Sequence, residues 1–221
     1  MAEALAFDLY GTLVDPKPGL IGSVQYALRK LGHPVPSADE LLWLIGPPFR
    51  VSFPKLLGSS ERVEEAIGYY RENYLNGGMY DAVVYDGVPD ALDALRGAGH
   101  RLFVATSKPH HYARPILARF GLDRHFVAIC GPELDGTNDH KADLIAHMIA
   151  REDVRPLTAI MIGDRAFDVL AAARHRIPTV GVTWGYGSAE ELAAAGAAAL
   201  CHSPDTLARA ATALLGRLEP S

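Results

Sequence analysis

The sequence predicts an α/β protein in which a doubly wound parallel sheet carries an inserted all-helical domain. From Gly87 onward, short apolar runs alternate with segments of helical periodicity, a rhythm typical of parallel strands joined by helices on both faces of a sheet. Residues 16–82 show helical periodicity and no convincing strand, so an inserted domain fits them better than a set of crossover helices. We therefore expect a core of residues 1–15 and 83–221 and a helical domain of residues 16–82.

The first predicted strand is the short apolar run of residues 4–7. It ends on the carboxylate of Asp8, and Gly11 then allows a sharp turn of the backbone. Ligands of open parallel sheets bind beyond the carboxyl ends of the strands, so Asp8 is the first candidate for a reactive group. The alternative is that Asp8 only caps the strand or accepts backbone N–H bonds in a turn.

The inserted segment is predicted to be a series of helices. A first helix through residues 20–31 ends at Gly32, and a capping box of Ser37 and Glu40 opens a second over residues 38–45. Gly46, Pro47 and Pro48 interrupt the pattern, which resumes over residues 49–57. Ser59 or Ser60 is expected to cap a last helix that runs through Tyr74 and stops near residues 76–78.

Beyond the insert, strands and helices are expected to alternate. The strands are predicted at residues 101–106, 126–130, 159–162 and 179–182, and the helices at residues 88–98, 112–120, 141–149, 167–174, 189–195 and 204–218. The alanine-rich run of residues 193–199 is assigned to helix rather than to disorder.

Composition narrows the class of protein. The 221 residues are 49% hydrophobic and 21% charged, with a net charge of −5 and no run of lysine or arginine, which argues against nucleic acid or a membrane surface as partner. Cys130 and Cys201 show no metal-ligand spacing and are expected to be reduced core thiols. With no leader-like segment and no apolar stretch of roughly 18 residues, we expect a soluble cytoplasmic protein.

Three further strand ends carry polar side chains. Thr106 and Ser107 offer hydroxyls, and Lys141 opens a helix, where a cation calls for an anionic partner. Asp164 and Asp168 stand four residues apart where a strand becomes a helix, which suits a hard divalent cation. Taken singly, each of these could be an ordinary helix cap.

Taken together, these side chains indicate phosphoryl transfer. A carboxylate can attack the phosphorus atom, a lysine and Mg²⁺ can neutralise the phosphate oxygens, and a hydroxyl can position them. All of these groups follow successive strands of one predicted sheet. This coincidence argues against the alternative that the four sites are unrelated helix or strand caps.

This constellation resembles the haloacid dehalogenase-like hydrolase superfamily over essentially the whole chain. The four motifs of that superfamily are similar to residues 7–15, residues 104–109, Lys141 and residues 163–168. Residues 45–49, 134–137 and 182–187 are similar to the phosphoglycolate phosphatase type within it. The resemblance implies a Rossmann-like core, and it implies that residues 16–82 are a helical cap that sets substrate choice.

The resemblance also implies roles for individual residues. Asp8 would be the nucleophile, and Mg²⁺ would bind Asp8, Asp164 and the backbone carbonyl of Tyr10, with support from Asp168. The substrate-binding residues would be Gly11, Thr106, Ser107, Lys141 and, from the cap, Arg50, for which a solvated surface arginine is an equal alternative.

Tyr10 departs from the pattern of the family phosphatases. They carry at this position an aspartate that protonates the leaving alcohol and then activates water. A tyrosine of ordinary pKa near 10 is a poor base at neutral pH, and loss of such catalysis typically removes about 10²–10⁴ of the rate. Tyrosine occurs here in 2-haloacid dehalogenases, but Thr106, Lys108 and Asp164 differ from their motifs.

The sequence therefore predicts a Mg²⁺-dependent phosphomonoester hydrolase that forms an aspartyl-phosphate on Asp8, weakened by Tyr10, with a small phosphoglycolate-like or nucleotide-like substrate. A metal-independent 2-haloacid dehalogenase and a weakly active phosphate-binding protein are the alternatives. We expect a monomer or homodimer. Trp184 and Tyr186 are interpreted as core packing, with a place at the mouth of the cleft as the alternative, and His110 and His111 as surface residues.

Overall fold

The computed structural model describes residues 3–46 and 49–218. Pro47 and Pro48, predicted to interrupt the helical segment, lie outside the described residues. The chain divides into two compact units. One, the α/β unit, comprises the residues up to Val14 and those from Val84 onward; the other, the helical unit, is Asp15–Val83.

The strands define a parallel sheet, as the sequence predicts. They are β1 (Ala4–Phe7), β2 (Val14–Asp15), β3 (Val83–Val84), β4 (Arg101–Ala105), β5 (Ala128–Cys130), β6 (Ala159–Gly163), β7 (Thr179–Val182) and β8 (Ala199–Cys201). Six of them form the main sheet in the order β5-β4-β1-β6-β7-β8, with every neighbouring pair parallel, and β2 pairs with β3 separately.

Helices of the α/β unit follow the predicted alternation, with ends shifted by a few residues. They are α4 (Val88–Gly97), α5 (His110–Arg119), α6 (Lys141–Glu152), α7 (Ala166–Ala173), α8 (Ala189–Ala194) and α9 (Leu207–Leu215). Short 3₁₀ turns lie at Asp123–His125, Pro156–Thr158 and Pro204–Thr206. The predicted last helix of residues 204–218 is therefore a 3₁₀ turn followed by a shorter α-helix.

The register of the sheet brings the candidate residues to one edge. β1 lies between β4 and β6, and Phe7 is level with Val104 on one side and with Ile162 on the other. All three side chains are fully buried, as expected for a strand covered on both faces. Asp8 and the residues that follow β4 and β6 therefore emerge together at the carboxyl edge of the sheet.

The sixth strand, β8, was missed by the sequence prediction. Residues 193–199 were assigned to helix, but α8 ends at Ala194 and the backbone turns at Gly196, whose φ is +92°. The chain then forms the three-residue strand Ala199–Cys201 against β7. Alanine favours helix locally, and here the pairing with β7 overrides that preference.

The helical unit consists of α1 (Lys17–Leu31), α2 (Phe49–Leu57) and α3 (Val63–Leu75), with 3₁₀ helices at Asp39–Leu44 and Gly78–Tyr80. α1 packs against α3 through buried apolar residues that include Val24, Leu28, Ala66 and Ile67. As predicted, α1 ends at Gly32, which adopts a left-handed conformation with φ +69°.

Two predicted helix starts in this unit are wrong in detail. Ser37 and Glu40 make the reciprocal bonds of a capping box, but the segment that follows is a 3₁₀ helix instead of the α-helix predicted over residues 38–45. Neither Ser59 nor Ser60 caps α3, which begins after Arg62. Ser59 instead accepts a hydrogen bond from the backbone of Glu61 within the preceding turn.

Both cysteines are buried free thiols, as predicted. Among the residues that the structure describes, no helix is long and apolar enough to cross a membrane.

Candidate active site

The turn after β1 places Asp8 and Gly11. The backbone N–H of Asp8 donates to the carbonyl of Ile162 in β6 at 2.9 Å, which ties the start of the turn to the neighbouring strand. Gly11 has φ +81°, and a Cβ atom there would overlap the carboxylate of Asp164. Its N–H donates to Val14. Gly11 thus gives Asp164 room to approach, and its predicted contact with substrate stays a prediction.

The end of β4 places Thr106 beside this turn. Thr106 is 3% exposed, and its N–H donates to the carbonyl of Cys130 at 3.1 Å. Its hydroxyl oxygen accepts the N–H of Lys108 at 3.2 Å, so the hydroxyl proton is left to donate to another acceptor. Ser107 is exposed. The predicted contacts of Thr106 and Ser107 with phosphate stay predictions.

Lys141 links the turn after β1 to the first turn of the helix Ala166–Ala173. It is the first residue of α6, and its ammonium nitrogen lies 2.8 Å from Oδ1 of Asp8 and in direct contact with Oδ1 of Asp168. The helix N-terminus is an unfavourable place for a cation, and these two carboxylates are the anionic partners expected from the sequence. Burial lowers the pKa of Lys141, but Asp168 and Asp8 outweigh it, so the pKa is raised and the side chain stays charged.

Asp164 and Asp168 are held by the backbone around them. Asp164 follows β6 directly, and its two oxygens accept hydrogen bonds from the Thr12 hydroxyl at 3.3 Å and the Tyr186 N–H at 2.9 Å. Asp168 lies in the first turn of α7, and its Oδ2 accepts the N–H of Arg165 at 3.0 Å. Both aspartates are nearly inaccessible to solvent, at 1% and 2% exposure.

Crowding of carboxylates perturbs this cluster. Oxygen atoms of Asp8, Asp164 and Asp168 lie within 4.8 Å of one another. Burial raises the pKa of Asp164 to about 8, with further contributions from the negative charges of Asp168 and Asp8. Burial also raises the pKa of Asp168, although Lys141 opposes it. Converging buried carboxylates that repel one another are a donor set suited to a hard divalent cation such as Mg²⁺.

A loop after β7 lies beside the turn that follows β1, and this position is nearer to the alternative of a place at the cleft mouth than to the favoured interpretation as core packing. Trp184 and Tyr186 were interpreted as core packing, but they are half-buried beside the turn of Thr12 and Asp164. The Trp184 indole N–H donates to the Thr12 carbonyl at 3.1 Å. A Cβ atom at Gly187 would overlap the backbone carbonyl of Asp164. The glycine after Tyr186 was the available signal that backbone passes close to another group here.

Tyr10 lies beside a lysine that was not among the predicted site residues. The Lys108 ammonium nitrogen is 4.6 Å from the centre of the Tyr10 ring. Burial lowers the pKa of Lys108 to about 7, although the negative charge of Asp8 opposes this shift. The position two residues after Asp8 therefore presents an aromatic ring and a neighbouring amine.

Arg50, His110 and His111 were also considered in the sequence analysis. Arg50, in α2 of the helical unit, forms an ion pair with Glu64 at 2.8 Å, and its predicted contact with substrate stays a prediction. His110 is half-buried at the start of α5, and its Nε2 lies 2.9 Å from Oε2 of Glu133. It therefore has a side-chain partner that the interpretation as a surface residue did not include. His111 is exposed, as predicted.

Fold and site together define an α/β protein with an acidic cluster and a lysine at the carboxyl ends of its central strands. The model of the haloacid dehalogenase-like hydrolases matches residues 5–182. The chain therefore belongs to the haloacid dehalogenase-like hydrolases.

The curated relatives are named after several different activities. A 5'-nucleotidase of Pseudomonas aeruginosa is 47% identical over 191 residues, covering 86% of each chain. Tyrosine-protein kinase PtkA of Mycobacterium tuberculosis is 42% identical over 188 residues, covering 85% of this chain and 64% of its own. A phosphoglycolate phosphatase of Colwellia psychrerythraea is 32% identical, covering 86% of this chain and 88% of its own.

Among solved structures, a predicted phosphatase from Clostridium acetobutylicum superposes with a TM-score of 0.88 at 39% identity, covering 95% of this chain and 97% of its own. The fold class and the family predicted from the sequence are thus confirmed. The family, together with the phosphatase names of its relatives, identifies the chain as an enzyme of the phosphatase group.

Proposed function

We propose that the chain is a Mg²⁺-dependent phosphomonoester hydrolase that forms an aspartyl-phosphate on Asp8. The observation that carries the proposal is the buried cluster in which Lys141 contacts Asp8 and Asp168 while Asp164 lies alongside. Nucleoside 5'-monophosphates are the first substrate class to test, because the relative at 47% identity is named a 5'-nucleotidase. Phosphoglycolate is the second, after the relative at 32% identity.

In the first step the phosphoryl group is transferred from the substrate to Asp8. A carboxylate oxygen of Asp8 attacks the phosphorus atom, the bond from phosphorus to the ester oxygen breaks, and the released alkoxide takes a proton from water. Lys141 and the Thr106 hydroxyl bind the phosphate oxygens and hold phosphorus in line with Asp8. Asp168 orients Lys141 through their direct contact.

The second step regenerates the enzyme. Water attacks the phosphorus atom of the aspartyl-phosphate, the bond to Asp8 breaks, and inorganic phosphate leaves while the proton of the water passes to solvent. Tyr10 replaces the carboxylate that would take this proton in related phosphatases. We therefore expect the second step to be slow, with a loss of about 10²–10⁴-fold.

Mg²⁺ is proposed to bind through Asp8, Asp164 and the backbone carbonyl of Tyr10, with Asp168 in support. Bound there, it would neutralise charge on the phosphate oxygens and favour the ionised form of the crowded carboxylates. The Thr12 hydroxyl and the Tyr186 N–H orient the carboxylate of Asp164.

The helical unit is proposed to be the cap that selects the substrate, with Arg50 as a candidate contact. The enzyme is further proposed to act in the cytoplasm on a small phosphorylated metabolite, as a monomer or a homodimer.

The test is phosphate release from a panel of phosphomonoesters that includes nucleoside 5'-monophosphates and phosphoglycolate. Each is measured at high enzyme concentration with Mg²⁺ and with a chelator, and 2-haloacids are measured in parallel. Mg²⁺-dependent release supports the proposal. Halide release without metal would replace it by a dehalogenase, and Mg²⁺-dependent phosphate binding without turnover would replace it by a phosphate-binding protein.

A further inference from the structure

Lys108 lies beside Tyr10 and Thr106, and no step above uses it. It follows Thr106 by two residues at the carboxyl edge of the sheet, and its backbone N–H is bound by the Thr106 hydroxyl oxygen at 3.2 Å. Its side chain is half-buried, and its ammonium nitrogen lies 4.6 Å from the centre of the Tyr10 ring. Tyr10 is two residues from Asp8, so the ammonium group lies close to the nucleophile.

The loop that carries Lys108 is held firmly in place. The N–H of His110 donates to the carbonyl of Pro132 at 3.2 Å, and the His110 ring pairs with Glu133 at 2.9 Å. A Cβ atom at Gly131 would overlap the backbone carbonyl of Lys108. Close packing on the segment after β5 therefore fixes where the lysine backbone begins, as a preorganised binding group requires.

The charges of the site leave a task for a second cation. Three carboxylates, those of Asp8, Asp164 and Asp168, converge there. The single positive charge of Lys141 is shared between Asp8 and Asp168, which it contacts directly. Together with the two charges of the proposed Mg²⁺, it would only balance the three carboxylates before phosphate enters. A phosphate monoester brings up to two more negative charges to Asp8, and its repulsion from the carboxylates is strong in a site shielded from water.

We infer that Lys108 is a second phosphate-binding cation of this site, acting beside Lys141 on the phosphoryl group and not only packing on Tyr10. The inference rests on the proposed function, since it concerns the same substrate. The ammonium group lies over the Tyr10 ring in a cation–π contact, and the negative charges of Asp8 and of a bound phosphate would favour its charged form.

Two substitutions separate charge from packing. Lys108→Met keeps an apolar stem that can still pack on the Tyr10 ring but removes the positive charge. Lys108→Arg keeps the charge and also stacks on aromatic rings. Lys30→Met is the matched control, because Lys30 lies 5.3 Å from the centre of the Tyr26 ring in the helical unit. Lys108→Gln replaces Lys108→Met if the methionine variant does not fold.

The measurement is calorimetric titration of inorganic phosphate in excess Mg²⁺, with the Mg²⁺-induced shift in melting temperature recorded without phosphate. We expect Lys108→Met to weaken phosphate binding by about tenfold or more, as for loss of a charged hydrogen-bond partner, and to raise KM by a similar factor. Lys108→Arg and Lys30→Met should stay within about threefold of the parent. The Mg²⁺-induced shift should be the same in all of them.

The outcomes distinguish this inference from the function on which it rests. If the parent binds phosphate and Lys108→Met binds it equally well, Lys108 does not bind the phosphoryl group and the inference alone fails. If the parent neither binds phosphate nor releases it from any ester, the proposed function fails and the inference fails with it.

Discussion

The α/β unit contains deeply buried charged side chains as well as exposed ones, whereas the described ion pairs of the helical unit lie at the surface. In the α/β unit, Lys141 and Asp168 form an ion pair that is almost completely buried, and burial raises the pKa of neighbouring Asp164 to about 8. The ion pairs of the helical unit are largely exposed and are spread over its surface: Lys17–Asp39, Arg50–Glu64 and Arg62–Glu65.

Exposed and buried charges differ in what they contribute to stability. Exposed pairs contribute at most about 1 kcal/mol to stability, and their geometry is loosely constrained. Buried charges cost stability unless the surrounding structure satisfies them, so a protein that keeps several in one place gains something other than stability. The α/β unit holds them with backbone donors such as the N–H groups of Arg165 and Tyr186.

The largest expected effect comes from making the same substitution in both units. Asp8→Asn removes the nucleophile and should lower Mg²⁺-dependent phosphate release by about 10⁴-fold or more, since an amide oxygen cannot form the aspartyl-phosphate. Asp39→Asn removes only an exposed partner of Lys17 and should leave the rate within about twofold of the parent. Initial rates at saturating substrate measure both. Equal rates for Asp8→Asn and the parent would refute the assignment of the nucleophile.

Restoring a carboxylate beside the buried cluster should give the next largest effect. Tyr10→Asp supplies a group that can protonate the leaving alcohol and activate water, and we expect phosphate release to rise by about a hundredfold or more. Tyr10→Phe, which keeps the ring but lacks any acid, is the control and should not gain activity. A Tyr10→Asp variant no faster than the parent would show that acid–base catalysis at this position does not limit the rate.

Glycine substitutions contrast the packing of the two units. Gly187→Ala places a methyl group against the Asp164 carbonyl and should lower the free energy of unfolding by about 1–3 kcal/mol. Gly68 lies exposed within α3 with open space around it, so Gly68→Ala should raise the free energy of unfolding by about 0.5–1 kcal/mol. Chemical denaturation measures both. Equal changes would mean that the loop after β7 packs less tightly on Asp164 than its structure indicates.

The smallest effect concerns a buried histidine of the α/β unit outside the site. Burial lowers the pKa of His125, although nearby Asp93 opposes this shift. The unfolded chain therefore binds a proton first as the pH falls below about 6.5, and the stability that neutral His125 contributes above that pH is lost in acid. His125→Gln should have a shallower decline in free energy of unfolding between about pH 7 and 5. An identical slope would contradict burial of the neutral ring.

The sequence was most informative where a parallel sheet dictates geometry. Asp8, Thr106 and Asp164 could be placed together because each follows a strand, and strands in a parallel sheet end at one edge. Lys141 could be expected to meet a carboxylate because a cation at a helix N-terminus needs one. These arguments use only strand order and the polarity of residues at strand ends.

Contacts between distant loops could not be predicted in the same way. The approach of the loop after β7 to Asp164 depends on glycines whose neighbours lie far along the chain, and the position of Lys108 over Tyr10 depends on side-chain direction. β8 could not be predicted because a strand of three residues is too short to show a hydrophobic pattern, and because alanine favours helix.

The central claim is that Asp8 becomes covalently phosphorylated and that Tyr10 leaves this intermediate long-lived. The most direct test is mass spectrometry of protein quenched in acid during turnover of a phosphomonoester with Mg²⁺. We expect one phosphoryl group on the peptide that contains Asp8, with a smaller phosphorylated fraction in Tyr10→Asp because water attack is faster there. Phosphate release with no phosphoryl group on that peptide, in either protein, would contradict it.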